Sequence, residues 1–252
     1  MGRILKAILG QLSFFTIIPS PSASLEEIAE FSFISPLMVG IITGIIDWFV
    51  VLLGIRLIGS LGALLLIPTV EIIRGFHHLD GLLDMGDALM VGKERRPQVL
   101  HDLQTGSGAI GLFLVYFSIF LIATLNLNVS NLWFFLPSEV LARASAISLL
   151  GLMKPIPGSY LGKVFHDKMR DKLFSIKFLL VQVFAILFSS PVLILAYVIL
   201  LLVFYLMAKL VFDGMSGDIV GAIITLSFPI YLLVAEKTCY HYFIFQYSLT
   251  LP

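Results

Sequence analysis

Charge is what this 252-residue sequence has least of. Only 13% of its residues are Asp, Glu, Lys or Arg, about half the share usual in a water-soluble domain. Sixteen basic residues balance sixteen acidic ones, so no bulk charge points to nucleic acid as a partner. Cysteine is nearly absent, and the lone Cys239 makes neither an internal disulfide nor a cysteine-based zinc site. What is present instead is apolar surface: 59% of the chain is hydrophobic and its mean hydropathy is +1.03. A protein of this size has no interior large enough to hide so much of it, which excludes a water-soluble globule. Disorder is excluded for the same reason. The sequence reads as all-α, a polytopic helical integral membrane protein with residues 1–252 in a single membrane domain.

The N-terminal stretch carries Arg3 and Lys6 before a short apolar run, as a signal peptide would. It has no small-x-small cleavage site, and Pro19 and Pro21 end the run. It reads as a retained short helix at the membrane surface. A spanning helix needs about 20 mainly apolar residues. Seven stretches approach this, some of them short: Ser35–Leu57, Ser60–Gly75, Gly108–Leu125, Leu132–Leu152, Ile176–Ser189, Pro191–Met207 and Gly217–Leu233. The uncharged run from Phe178 to Ala208 is too long for one crossing. Ser189-Ser190-Pro191 near its middle is a helix breaker, so it is read as two segments. With seven spans, all basic residues but Arg56, Lys237 and the intraspan Arg143 fall on one side. The positive-inside rule makes that side cytoplasmic and the location a cell membrane crossed many times.

On that side, after the second span, stands Gly75-Phe76-His77-His78-Leu79-Asp80-Gly81-Leu82-Leu83-Asp84-Met85-Gly86-Asp87. Asp80, Asp84 and Asp87 are spaced i, i+4, i+7 and share one helix face. Three like charges on one face repel, and nothing structural rewards the spacing. A hard divalent cation does, because Mg²⁺, or Mn²⁺, takes carboxylate oxygens and bridges to phosphates. The alternative is a solvated helix end with an acidic face. His77 and His78 supply a general base or a phosphate hydrogen bond, or else sit at the interface with no chemical role.

Further along, Asp102 precedes Gly106-Ser107-Gly108-Ala109-Ile110-Gly111 at the start of the third span. Glycines at a helix N-terminus let backbone N–H groups approach an anion, though they also serve close helix packing. A second cluster, Asp213-Gly214-Met215-Ser216-Gly217-Asp218 and then Gly221, precedes the last span. Two distant Asp/Gly clusters at one membrane face point to a shared metal and phosphate site. The loop from Lys154 to Lys177, with Lys163, Lys168, Arg170 and Lys172, holds an anionic substrate or anchors the chain at anionic lipid. Inside the spans, Glu139 pairs with Arg143 at i, i+4 and Glu71 with Arg74, while Asp47 has no evident partner.

The run His78 to Asp87, the helix start Gly108-Ala109-Ile110-Gly111 and the segment Gly214-Met215-Ser216-Gly217-Asp218-Ile219-Val220-Gly221-Ala222 resemble the cobalamin synthase family, the adenosylcobinamide-GDP ribazoletransferases. Gln11 to Pro19 is similar to the family's opening segment, and Pro36, Gly40 and Gly44 fit the helix that follows. The resemblance covers nearly the whole chain. It departs at Ala88, where many members have Gly, at Gln104 and Thr105, where many carry an Arg, and at Ser216, where Thr is common and the hydroxyl is kept.

The resemblance implies a multispanning, divalent-metal-dependent transferase with its active site at the cytoplasmic face. It joins adenosylcobinamide-GDP to α-ribazole or its 5′-phosphate, releases GMP and yields adenosylcobalamin or its 5′-phosphate. It implies that Asp80, Asp84 and Asp87 hold one or two Mg²⁺ ions, that Asp218 completes the site or orients the attacking hydroxyl, and that His78 is the base. His77, Asp102, Gly106, Gly108 and Gly217 are the expected substrate-binding residues. The expected partners are the two small-molecule substrates and the lipid bilayer, with self-association left open. Two other readings compete. A CDP-alcohol phosphotransferase would show Asp-Gly followed by Ala-Arg, and no Ala-Arg follows Asp84. A transporter would account for Asp47 and the interrupted spans, but it would place its charges at the midplane or show two inverted halves.

Overall fold

The computed structural model describes residues 2–100, 104–127, 132–187 and 189–248. Among these the regular elements are helical, and the one β-bridge, Pro155 to Met215, is isolated. In chain order the helices are α1 (Arg3–Phe15), α2 (Leu25–Phe31), α3 (Ser35–Ile58), α4 (Leu66–Ile73), α5 (His77–Leu89), α6 (Arg96–Val99), α7 (Ser107–Leu125), α8 (Leu132–Leu152), α9 (Tyr160–Met169), α10 (Lys172–Leu187), α11 (Pro191–Met207) and α12 (Gly217–Ser248).

Five helices, α3, α7, α8, α11 and α12, are long and apolar enough to cross a membrane. The stretch Ser60–Ile73 and the following α5 reach the length and apolarity of a crossing only together, and they meet at a bend of 88°. The second stretch expected to span is therefore not one helix. It begins as the 3₁₀ turn Ser60–Leu65, continues as α4, and ends where Gly75 (φ 66°) and Phe76 (φ 61°) reverse the backbone. The apolar helix Leu173–Leu187 is shorter than a full crossing. It ends near the expected break, and α11 then starts with Pro191 in its first turn and the Ser190 hydroxyl accepting from the Leu193 amide at 3.2 Å. A multi-pass membrane protein results, with α8 and α12 its most enclosed spans.

Small residues set the close approaches. Gly40 and Gly44 of α3 lie against the backbone of Val140 and Leu136 in α8, where an added Cβ would stand 2.9 and 3.2 Å from the Cα atoms. In lipid, where no hydrophobic force drives helices together, such backbone contact is a main source of packing energy. Outside the spans, α1 is amphipathic and buries Ala7, Gly10, Gln11, Leu12 and Phe15. Its Gln11 amide donates to the Ile28 carbonyl at 2.8 Å, tying it to α2. A capping box of Ser24 and Glu27 begins α2.

Candidate active site

Helix α5 runs across the first turns of α7 and α12. Glycine makes this possible: a Cβ on Gly86 would stand 2.6 Å from the Gly108 carbonyl oxygen, and one on Gly221 2.9 Å from the His78 Cα. Gly81 lies against the Asp218 backbone in the same way. The two Asp/Gly clusters, about 130 residues apart in the chain, are thereby brought into one place at the helix ends, outside the spans.

Asp84 is the centre of the charge. It is half-buried, and its carboxyl is pushed up to about 7, first by burial and then by the carboxylates of Asp80, Asp218 and Asp87. The charges that act on it are negative. Asp218 is oriented from its own helix: the Ser216 hydroxyl donates to it at 3.2 Å and accepts from the Ile219 amide at 3.3 Å, capping α12.

Asp87 is held differently from its neighbours. Its two oxygens accept from the Gly106 amide at 2.6 Å and the Ala109 amide at 2.9 Å. The anion at the N-terminus of α7 is thus a side chain from α5, bound by the helix-end donors expected to meet a ligand. As the side chains are placed, no three His, Cys, Asp or Glu residues among the described ones form a ready metal cage. The donor set still suits a hard cation, because Mg²⁺ is normally held by one or two carboxylates with water and substrate phosphate completing the shell.

Beside the carboxylates opens a cavity of about 360 Å³, whose lining includes His77, Asp80, Gly217 and Asp218 together with Phe14, Phe15 and Phe165. His78 also lines it. Burial, helped by the guanidinium groups of Arg74 and Arg143, holds the His78 imidazole well below its ordinary value, so it is neutral at pH 7. Its Nδ1 is buried with no hydrogen-bond partner among the described residues.

Beneath His78 the buried charges form one cluster rather than two local pairs. Arg74 donates to Glu139 at 2.8 Å, and Arg143 also donates to Glu139. Thr43 adds a hydroxyl to the same carboxylate at 3.1 Å, and Asp47 hydrogen-bonds it as well. Glu71 takes the Tyr116 hydroxyl instead of the expected Arg74 as hydrogen-bond partner. The Asp47 that lacked a partner in sequence thus has one, supplied by a helix almost a hundred residues away.

Of the expected site residues, His77, His78, Asp80, Asp84, Gly217 and Asp218 come together. Gly106 and Gly108 stand at the same place but hold Asp87 and Gly86. Asp102 lies outside the described residues. Lys163 and Lys168 of the basic loop are exposed, and α9 reaches the cavity through Leu161 and Phe165. In that region Lys154 pairs with Asp213 at 3.0 Å, and the Lys177 ammonium lies over the Phe33 ring, 5.2 Å from its centroid.

The chain is similar to known proteins along most of its length. Residues 7–236 match the family model described as CobS, cobalamin-5-phosphate synthase. An adenosylcobinamide-GDP ribazoletransferase of Saccharolobus islandicus (strain M.14.25 / Kamchatka #1) is 44% identical, the match covering 94% of each chain. One from Saccharolobus solfataricus has the same identity and coverage. One from Archaeoglobus fulgidus is 30% identical over 89% of this chain and 94% of its own. No solved structure matches the chain. A family model that runs from α1 into α12, through both acidic clusters, places this chain in the cobalamin-5-phosphate synthase family.

Proposed function

We propose that the carboxylates gathered on α5 and α12 serve a transferase that joins adenosylcobinamide-GDP to α-ribazole or its 5′-phosphate. The observation that carries this reading is Asp84, a half-buried carboxyl flanked by the carboxylates of Asp80, Asp218 and Asp87. Its family relatives bear the name of that reaction. A ribose hydroxyl oxygen bonds to the phosphorus attached to the corrinoid side chain. The bond from that phosphorus to the GMP oxygen breaks, and GMP leaves with the electron pair. Such a transfer depends on positioning and charge neutralisation far more than on covalent help from the protein.

Asp80 and Asp84 are the pair that would hold a Mg²⁺ or Mn²⁺ ion, which when bound supplies neutralisation of the diphosphate oxygens. Asp218, steadied by Ser216, would orient the attacking hydroxyl. His78 is assigned to receive the hydroxyl proton, because burial keeps its imidazole neutral and a ring nitrogen available. Asp87 acts through α7: it fixes α5 against that helix and so sets where Asp84 stands. The site faces the cytoplasm in this reading, on the side where the basic residues gather.

Purified protein in detergent or lipid, given Mg²⁺, adenosylcobinamide-GDP and α-ribazole, is expected to release GMP. Asp84→Asn is expected to abolish that release while the protein still inserts in the membrane. Normal turnover by that variant, or turnover of CDP-activated lipid substrates in place of the corrinoid, would overturn the reading.

A further inference from the structure

We propose that the cleft between α8, α10 and α11 seats one hydrocarbon chain of an anionic phospholipid, whose phosphate is met by Lys168 and Arg170 at the cleft's mouth. This concerns the lipid-facing side of the protein and stands apart from the transferase reading.

Small residues open the cleft. Ser148 and Gly151 of α8 are spaced i, i+3 and share a face, and both line it. Where α3 presents Gly40 and Gly44, the backbone of α8 closes on them. At Gly151 no helix takes up the space in that way. The nearest atoms to a Cβ there are side-chain atoms of Met169, with Cε at 2.8 Å. About 370 Å³ is left open, walled by Phe174, Phe178 and Leu179 of α10 and by Tyr197 and Leu201 of α11.

The few polar groups in this lining bond one another. The Tyr197 hydroxyl donates to Gln182 Oε1 at 2.8 Å, and the Gln182 amide donates to Ser148 Oγ at 3.1 Å. A polar ligand would lose water here and find its partners already engaged, whereas hydrocarbon meets no such cost. The place decides between hydrocarbon sources. Leu152 and Leu179 line the cleft and are exposed, so it opens sideways toward the bilayer, whose core supplies lipid tails and no water. A second copy of the chain would have to enter as a helix about 10–12 Å across. The cleft has room for a slender chain and not for that.

Charge at the mouth selects among lipids. Met169, Phe174 and Ser175 line the end of the cleft on the membrane face that carries the basic residues, and the turn from α9 to α10 runs between them. Residues 160–177 hold five Lys and Arg against two Asp. Lys168 and Arg170 are exposed there, and among the described residues neither pairs with a carboxylate. Lys177 is engaged by the Phe33 ring. Free cations at the mouth of an apolar cleft are the counterpart of a phosphate joined to a hydrocarbon chain. Of the two roles open to this basic loop, anchoring at anionic lipid is the one its surroundings favour.

The test uses the full chain, purified in detergent, washed free of native lipid and titrated with dioleoyl phosphatidylglycerol or dioleoyl phosphatidylcholine. Native mass spectrometry counts the bound lipid. Leu179→Trp fills the cleft, and Lys168→Glu combined with Arg170→Glu reverses the charge at its mouth. All three positions are exposed, so both variants should fold as the wild type does. Wild-type protein is expected to retain one phosphatidylglycerol per chain and to bind it about tenfold or more tighter than phosphatidylcholine, the preference that two basic side chains near a headgroup give. Leu179→Trp should weaken binding of both lipids. The charge variant should keep its affinity for phosphatidylcholine and lose the preference. Equal retention by the wild type and Leu179→Trp would place the lipid elsewhere and overturn the proposal. Wild-type protein that binds the two lipids equally would overturn it too, as would a wild-type dimer that Leu179→Trp separates, since a second copy would then be the occupant.

Discussion

Asp84 sits in strongly unfavourable electrostatics, crowded by other carboxylates, and its behaviour with pH follows. Its carboxyl titrates near 7 in the folded protein and near 4 in the unfolded chain. Between those values the fold holds a proton that the unfolded chain has lost, so this group's contribution to stability falls as pH rises from about 4 to about 7. In cation-free detergent solution the thermal midpoint of the wild type should drop across that window more than that of Asp84→Asn. Millimolar Mg²⁺ near pH 8 should raise the wild-type midpoint and leave the variant unmoved. Equal pH slopes for the two proteins would show that Asp84 is not crowded by carboxylates as described. Glu139 is a second residue whose loss should be severe. It serves two buried guanidinium groups at once, so Glu139→Gln should cost about 3–5 kcal/mol, the usual penalty for stranding a buried charge. Chemical or thermal unfolding in detergent measures it. At this scale the i, i+4, i+7 spacing made the acidic face readable directly. The Asp47–Glu139 contact was not readable, because nothing in either residue's neighbourhood announces a partner from another helix.

Helix α5 is the element on which the site depends, and it is held by backbone contact at both ends. Gly81 meets α12 and Gly86 meets α7. Gly86→Val should push α5 off α7, weaken the Asp87 bonds to Gly106 and Ala109, and lower GMP release by at least tenfold, the scale of loss when a supporting contact shifts reacting groups by about an ångström. Normal GMP release by Gly86→Val would show that this contact does not set where Asp84 stands. The bend before α5 has its own cost. Phe76 holds φ at 61°, a region that L residues other than Asn and Asp seldom enter. Phe76→Gly should therefore raise the unfolding free energy by about 1 kcal/mol, read from denaturant midpoints. The helical character of α5 was legible in its aspartate spacing. The bend was not, because Ser60 to Gly75 is apolar enough to read as a continuous crossing, and only Gly75 hinted at its end. The true partner of Asp87 was hidden as well: a glycine-rich helix start reads alike whether its anion is a ligand or a side chain.

Across the whole molecule, composition alone established the solvent, and the spacing of apolar runs placed the long spans close to where they lie. The two Asp/Gly clusters were expected at one membrane face, and α5 shows how they are joined. The aromatic cavity could not be read in advance. In a chain that is 59% hydrophobic, Phe14 and Phe165 carry no contrast with the residues around them, and only folding brings α1 over α9. The buried cluster of Arg74, Glu139 and Arg143 ties the second, first and fourth stretches together directly beneath the site. Dipoles fixed in such a dry interior need not reorganise as charge moves during a reaction.

The grip of Asp87 on the start of α7 also decides what the chain is free to change. Both ends of α5 are clamped by other helices, so the turn at Gly92 has no part in holding the carboxylates in place. Gly92 has open space around it and lies in a surface turn closed by the Arg95 amide on its carbonyl. Length can vary there without moving Asp84. In this architecture the reactive groups are borne by a crossbeam, and the neighbouring connection is left as the part that relatives can lengthen, shorten or recharge.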